Sequence, residues 1–194
     1  MKWILASSSP RRKQLFEKID LDFIVVAPNV DESFDLGVMS PTEYCCYLAD
    51  QKSKNVSHNY PDSMVIGADT IVIIDNKILG KPKNKSEAIS MLYDLSGHTH
   101  TVMTAVSIRC SGTGFKHTFF ETTDVQFKKL SEKEIKYYID RDAPYDKAGS
   151  YGIQDFSGIF VKSIRGCYQN VVGFPIARFC IELQKKGIIS PWEN

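Results

Sequence analysis

A chain of 194 residues, 43% of them hydrophobic and 24% charged, is long enough to bury one core or two small lobes that share a cleft, and too mixed in character to stay disordered. A formal net charge of +1 argues against a nucleic-acid-binding surface, so strong anion binding has to come from a local cluster. Five cysteines, odd in number, with two adjacent and none in a Cys-x-x-Cys pair, argue against a disulfide framework or a zinc site and suit a reducing cytosol.

The apolar run after Lys2 ends at Ala6, short of the roughly 7–15 residues of a secretory core, and no stretch approaches the roughly 20 of a membrane span. These features predict a cytoplasmic protein with neither a membrane nor a nucleic acid as partner. The sequence is compatible with a homodimer but carries no decisive interface signal.

Residues 3–6 read as a short buried strand. Ser7-Ser8-Ser9 is a turn, with Ser9 placed as N-cap and Pro10 at the first helical position, where its missing N–H costs nothing. Leu15, Phe16 and Ile19 share one face of the helix that follows. Residues 23–27 form a second strand, followed by an acidic loop, Asp31-Glu32-Ser33.

Ser40-Pro41-Thr42-Glu43 is a capping box that opens a helix to about residue 56. Residues 64–74 are β-branched and read as a central strand, interrupted by Gly67-Ala68-Asp69-Thr70; Asp75-Asn76-Lys77 is a turn. A helix is predicted over 85–95, capped by Asn84 and stopped by Gly97.

Two long antiparallel strands, 101–110 and 116–128, flank the hairpin Ser111-Gly112-Thr113-Gly114. A second capping box at Ser131 opens a helix to about residue 141. A glycine-containing loop runs to Gln154, a strand covers 159–164, and Pro175 starts a last helix that ends near Gly187. Strand–helix alternation combined with a long hairpin predicts an α/β or α+β chain with a mixed sheet and no linker, so residues 1–194 are expected to form a single domain.

Five constellations carry chemistry. Ser7-Ser8-Ser9-Pro10-Arg11-Arg12 feeds a strand into a helix start, where free N–H groups, a positive dipole end and two arginines suit phosphate; a capped surface helix with solvated arginines explains the same residues. Asp69 sits in an apolar strand, where an ionised group needs a wet cleft, a cation or a cationic side chain. Glu32, beside Asp31, would with Asp69 suit Mg²⁺ or Mn²⁺, which prefer oxygen ligands and bridge to phosphates. Lys52 and Lys81 are each ordinary solvated lysines taken alone, although Gly80 and Pro82 hold Lys81 in a rigid loop. Residues 146–154 read as a close-approach loop such as a base pocket, or as a plain surface loop.

Neither a Gly-x-x-x-x-Gly-Lys-Ser/Thr loop, a Gly-x-Gly-x-x-Gly fingerprint nor a Gly-x-Ser-x-Gly elbow occurs.

Together these blocks resemble the Maf family of nucleoside triphosphate pyrophosphatases. The matching stretches are Leu5-Ala6-Ser7 through Arg12, Val30-Asp31-Glu32-Ser33, Leu48-Ala49 with Lys52, Gly67-Ala68-Asp69-Thr70 and Ile78-Leu79-Gly80-Lys81-Pro82. Further on come Met91-Leu92 with Leu95-Ser96-Gly97, then Asp146 to Gln154, then Gly166 through Pro175. They occur in family order over nearly the whole chain.

The resemblance implies an α/β fold, a mixed twisted sheet flanked by helices, with a substrate cleft between two lobes. It implies cleavage of a nucleoside triphosphate between its α- and β-phosphates. It assigns proton acceptance to Asp69 and substrate specificity to Arg11, Thr70 and Gln154, and it places Ser7, Arg12, Lys52 and Lys81 around the phosphates and Glu32 near the metal. The residues themselves add Arg11 as a phosphate contact and Asp69 with Glu32 as the ligands of a divalent metal, Mg²⁺ or Mn²⁺. The loop ending Tyr151-Gly152-Ile153-Gln154 resembles the branch acting on dTTP and UTP. A 7-methyl-GTP or non-standard purine branch stays open, as does a regulatory role in septum formation exerted through partners.

Overall fold

The computed structural model describes residues 2–31 and 39–188. The first strand, β1 (Trp3–Ala6), is wholly buried and leads into helix α1 (Pro10–Phe16), which continues as a 3-10 turn over Glu17–Ile19. Next come strand β2 (Phe23–Val26) and helix α2 (Pro41–Ser57). Both arms of the α2 capping box form: the Ser40 hydroxyl accepts from the Glu43 N–H, and the Glu43 carboxylate accepts from the Ser40 N–H.

Strand β3 (Met64–Ile74) runs through the small and polar residues Gly67-Ala68-Asp69-Thr70, of which Gly67, Ala68 and Asp69 are buried and Thr70 half-buried. Asp75 and Asn76, both at positive φ, then make a tight reversal into strand β4 (Lys77–Leu79), whose three residues are too few to be read from the sequence.

Helix α3 (Lys85–Leu95) is capped by the Asn84 side chain. Strands β5 (Thr99–Cys110) and β6 (Phe115–Phe127) are sheet neighbours joined by a short turn, a connection only antiparallel strands allow. Helix α4 (Glu132–Asp142) opens on the second capping box. The expected strand 159–164 is displaced: residues Phe156–Phe160 form a 3-10 turn, and strand β7 covers Val161–Arg165. Two short helical segments end the described chain, α5 (Tyr168–Val172) and α6 (Ile176–Lys185).

The strand order is β2-β1-β3-β5-β6-β7, with β4 on β3. β1 pairs parallel with both β2 and β3, whereas β3–β4 and β6–β7 are antiparallel, so the fold is mixed α/β.

The chain divides into two compact units. The first is built from the described parts of Met1–Asp69, Thr104–Glu121 and Gly173–Asn194, the second from Thr70–Met103 and Thr122–Val172. In the first unit Phe16 makes edge-on contacts with Phe23, Phe174 and Phe179, and Trp3 packs edge-on against Phe179. In the second, Val72, Leu79, Leu92, Leu95, Val125, Phe127, Ile135, Tyr138 and Phe160 form the core. Among the described residues no helix is long and apolar enough to cross a membrane.

Candidate active site

In the first unit, the parallel register puts Ala6 opposite Gly67, so the turn leaving β1 emerges beside Ala68 and Asp69. Val26, the last residue of β2, lies level with Ala6 on its other side. The carboxyl ends of parallel strands are where open α/β sheets bind ligands.

The Ser7–Arg12 turn is held from within. The Ser7 hydroxyl accepts from the Ser9 N–H at 3.2 Å and from Arg12 Nη1 at 3.0 Å. Arg12 Nε donates to the Gly173 carbonyl at 2.9 Å, and Ser9 caps α1 by accepting from the Arg12 N–H. Arg12 is buried while Arg11 is half-buried. Arg12 thus commits its Nε and Nη1 donors to shaping the turn. Helix α1 has only 7 residues, so the arginines carry more of any anion attraction here than the helix dipole does.

Asp69 answers the question its sequence position raises. Its Oδ1 lies 2.6 Å from Lys52 Nζ, with the two side chains 10% and 9% exposed. A buried carboxylate requires such a partner. Helix α2 can deliver Lys52 because it sits directly on β3 at Gly67: a Cβ there would come within 2.3 Å of the Ala49 carbonyl oxygen and 2.5 Å of the Ser53 nitrogen. Two turns earlier on the same face of α2, Cys45 Sγ donates to the Asp69 carbonyl at 3.4 Å. Burial, and after it the charge of Asp69, pushes this thiol well above the usual range, so it remains a donor.

Helix α2 is also tied to the β5–β6 strands. Asp50 accepts from Arg109 at 2.6 Å and pairs with Lys116 at 2.9 Å, and the Ser107 hydroxyl donates to it at 3.2 Å. A separate pocket of about 400 Å³ on this unit is lined by Asn29, Asp31, Tyr47 and Lys54 among others; Ser7, Arg12, Lys52 and Asp69 do not line it. Glu32 lies outside the described residues.

In the second unit, Thr70 is half-buried on β3, while Lys81 and Gln154 are exposed. Gln154 sits at the tip of a tight turn closed by the Asp155 N–H on the Gly152 carbonyl at 2.9 Å. Behind that tip, Ser157 Oγ both accepts from the Gly152 N–H (3.1 Å) and donates to the Gly152 carbonyl (2.9 Å). Pro82, buried, anchors the loop that presents Lys81. The two loops meet: the Gly149 N–H donates to the Gly80 carbonyl at 3.0 Å.

Tyr151 is held by His100, whose Nε2 lies 2.8 Å from the phenolic oxygen, with Phe127 edge-on to both rings. Burial lowers the His100 pKa to about 4 against a weaker opposing pull from Asp124, so the imidazole is neutral at pH 7. Neither His100 nor Cys45 lies in a motif that marks it as part of the site; the alternation of His98 and His100, as at the start of a strand, is the one local cue.

These elements define a mixed α/β protein with a buried lysine–carboxylate pair and an arginine-bearing turn at the carboxyl ends of parallel strands. The profile of the family described as Maf-like protein matches residues 2–186, and the chain belongs to that family.

Among similar proteins is the dTTP/UTP pyrophosphatase of Desulfotalea psychrophila, 44% identical over 96% of this chain and 95% of that one. Those of Carboxydothermus hydrogenoformans and Bacillus cytotoxicus are 43% identical (96% of this chain, 100% of that one) and 48% identical (95% of each). The solved structure of the Staphylococcus aureus Ham1 protein is similar over 66% of this chain and 72% of that chain, at 16% identity and a TM-score of 0.48.

Proposed function

We propose that this protein hydrolyses dTTP and UTP between the α- and β-phosphates, releasing the nucleoside monophosphate and pyrophosphate. The observation that carries the reading is the buried Lys52–Asp69 pair beside the Ser7–Arg12 turn, in a chain whose full-length relatives bear the name dTTP/UTP pyrophosphatase.

Asp69 is the general base. With Oδ1 engaged by Lys52, Oδ2 takes the proton of the attacking water. Lys52 holds the carboxylate in one orientation and supplies positive charge at the site. Arg11 and Lys81 neutralise the charge that develops on the pyrophosphate leaving group, while Ser7 and Arg12 keep the turn in shape around it. Gln154 carries both a donor and an acceptor on an exposed turn and reads the edge of a pyrimidine; Thr70, next to Asp69 in the chain, orients the same substrate.

A divalent cation fits this donor set. Asp69 offers the hard oxygen that Mg²⁺ and Mn²⁺ take, and such ions characteristically use one or two carboxylates plus substrate phosphates. Asp69 and Glu32 would hold it, and it would supply charge neutralisation at the phosphates.

A nucleotide panel with Mg²⁺ or Mn²⁺ tests the assignment. Pyrophosphate should be released from dTTP and UTP in preference to 7-methyl-GTP, ITP and XTP. Preference for any of the purine nucleotides would replace the pyrimidine reading.

A further inference from the structure

Three residues of the second unit are assigned to substrate above: Thr70 on β3, Lys81 after β4, and Gln154 in the loop that follows α4. They come from separate stretches of chain, yet base and phosphate recognition require them in fixed register. One residue touches the supports of the first two and leads along the chain to the third. Gly149 donates its N–H to the carbonyl of Gly80, the residue before Lys81, at 3.0 Å. Its α-carbon faces Val72, two residues beyond Thr70, so closely that a Cβ would lie 3.0–3.2 Å from three Val72 side-chain atoms.

From Gly149 the chain reaches Gln154 along a braced path. Ser150 is fully buried, with its hydroxyl 3.2 Å from Met91 Sδ; Tyr151 is held by His100; Gly152 is clamped by Ser157.

The backbone at this junction is unusual. Gly149 has φ +64° and Ser150 has φ +61°, two successive residues in the left-handed region, one of them bearing a side chain. Glycine at 149 meets two requirements at once, the positive φ and the close approach to Val72. An alanine there would have to push Val72 or withdraw from Gly80.

We infer that Gly149 is a positioning residue for base selection: it locks the Lys81 loop, the Thr70 segment of β3 and the Gln154 turn into one register. The inference rests on the dTTP/UTP reading given above. Gly149 does not touch the reacting atoms; it acts through the residues that do.

The test compares Gly149→Ala with wild-type protein and with Ile135→Val, a core substitution on α4 of the same unit. The measured quantity is the ratio of kcat/KM for UTP to that for GTP. Gly149→Ala should lower this ratio at least tenfold, chiefly by raising KM for UTP, while Ile135→Val leaves it unchanged. Adding Val72→Ala to Gly149→Ala, which removes two of the three crowding atoms, should restore part of the ratio. If Gly149→Ala does not fold, Val72→Ile, which adds bulk from the other side of the same contact, carries the same expectation. A folded Gly149→Ala or Val72→Ile with wild-type selectivity overturns the inference alone. A wild-type protein that does not turn over dTTP or UTP overturns the functional reading, and the inference falls with it.

Discussion

Lys52 Nζ and Asp69 Oδ1 stand 2.6 Å apart with both side chains about nine-tenths buried, and this contact joins the middle of α2 to the end of the parallel part of β3. The pair is an unfavourable one to build from scratch, because two charges leave water to make it; once built, losing either partner strands the other.

Lys52→Met should therefore damage both stability and activity. Removing one partner of a buried pair costs about 3–5 kcal/mol, which a urea midpoint will register. Asp69→Asn strands the Lys52 ammonium in the same way and should cost a comparable amount of stability, while kcat falls by roughly 10²–10⁴, the usual worth of a positioned general base. A Lys52→Met protein with wild-type stability would show that the pair is not buried in solution.

The adjacent arginines should separate by phenotype. Arg12 bridges the Ser7 hydroxyl and the Gly173 carbonyl, two charged hydrogen bonds of a kind worth about 1.5–3 kcal/mol net each. Arg12→Met should lower the melting temperature as well as activity. Arg11→Met, at a half-buried position, should raise KM for UTP and lower the melting temperature less than Arg12→Met does. Equal thermal losses in the two variants would contradict this division of labour.

His100 predicts an acid limit to stability. Its pKa is about 4 in the folded protein against 6.5 for the free side chain, a difference worth about 3 kcal/mol. Above pH 6.5 the group is neutral in both states and contributes no pH dependence. As pH falls from 6.5 to 4 the unfolded chain takes up the proton first, so stability is lost across that window. His100→Gln, which does not titrate, should show a shallower decline over the same range in denaturant titrations at pH 7, 5.5 and 4.5. Parallel declines would mean that His100 is not held neutral.

The Cys45 thiol, buried and shifted upward, should resist alkylation in the native protein at pH 8 and react once the chain is unfolded in guanidinium. Peptide mapping after iodoacetamide treatment reads this directly. Rapid native labelling at Cys45 would place it at the surface.

Much of this was legible in the sequence wherever the signal was local. The capping boxes at Ser40 and Ser131, the Ser9-Pro10 helix start, and the strand 64–74 all form where their residues predict. The chemistry-bearing residues were legible as types, but their partners were not. Asp69 advertised a need for a cation, yet nothing local identified Lys52, 17 positions earlier in the chain, as its answer.

Arg11 and Arg12 look alike as letters, but Arg12 is buried and donates to the Gly173 carbonyl, a contact across 161 positions that nothing local announces. The strand expected at 159–164 slid because Ile159 and Phe160 have β-forming side chains, but Gly158 and the turn at Gly152–Asp155 close a 3-10 segment first. The close approach expected of residues 146–154 is made by Gly149, but its partners Gly80 and Val72 are brought to it by tertiary structure and could not be read locally.

The central claim, hydrolysis of dTTP and UTP between the α- and β-phosphates, is tested most directly by the identity of the products. Incubating the protein with UTP and Mg²⁺ and following the reaction by ³¹P NMR should give UMP and pyrophosphate in equal amounts, with Asp69→Asn giving neither at a comparable rate. Accumulation of UDP and orthophosphate would contradict it.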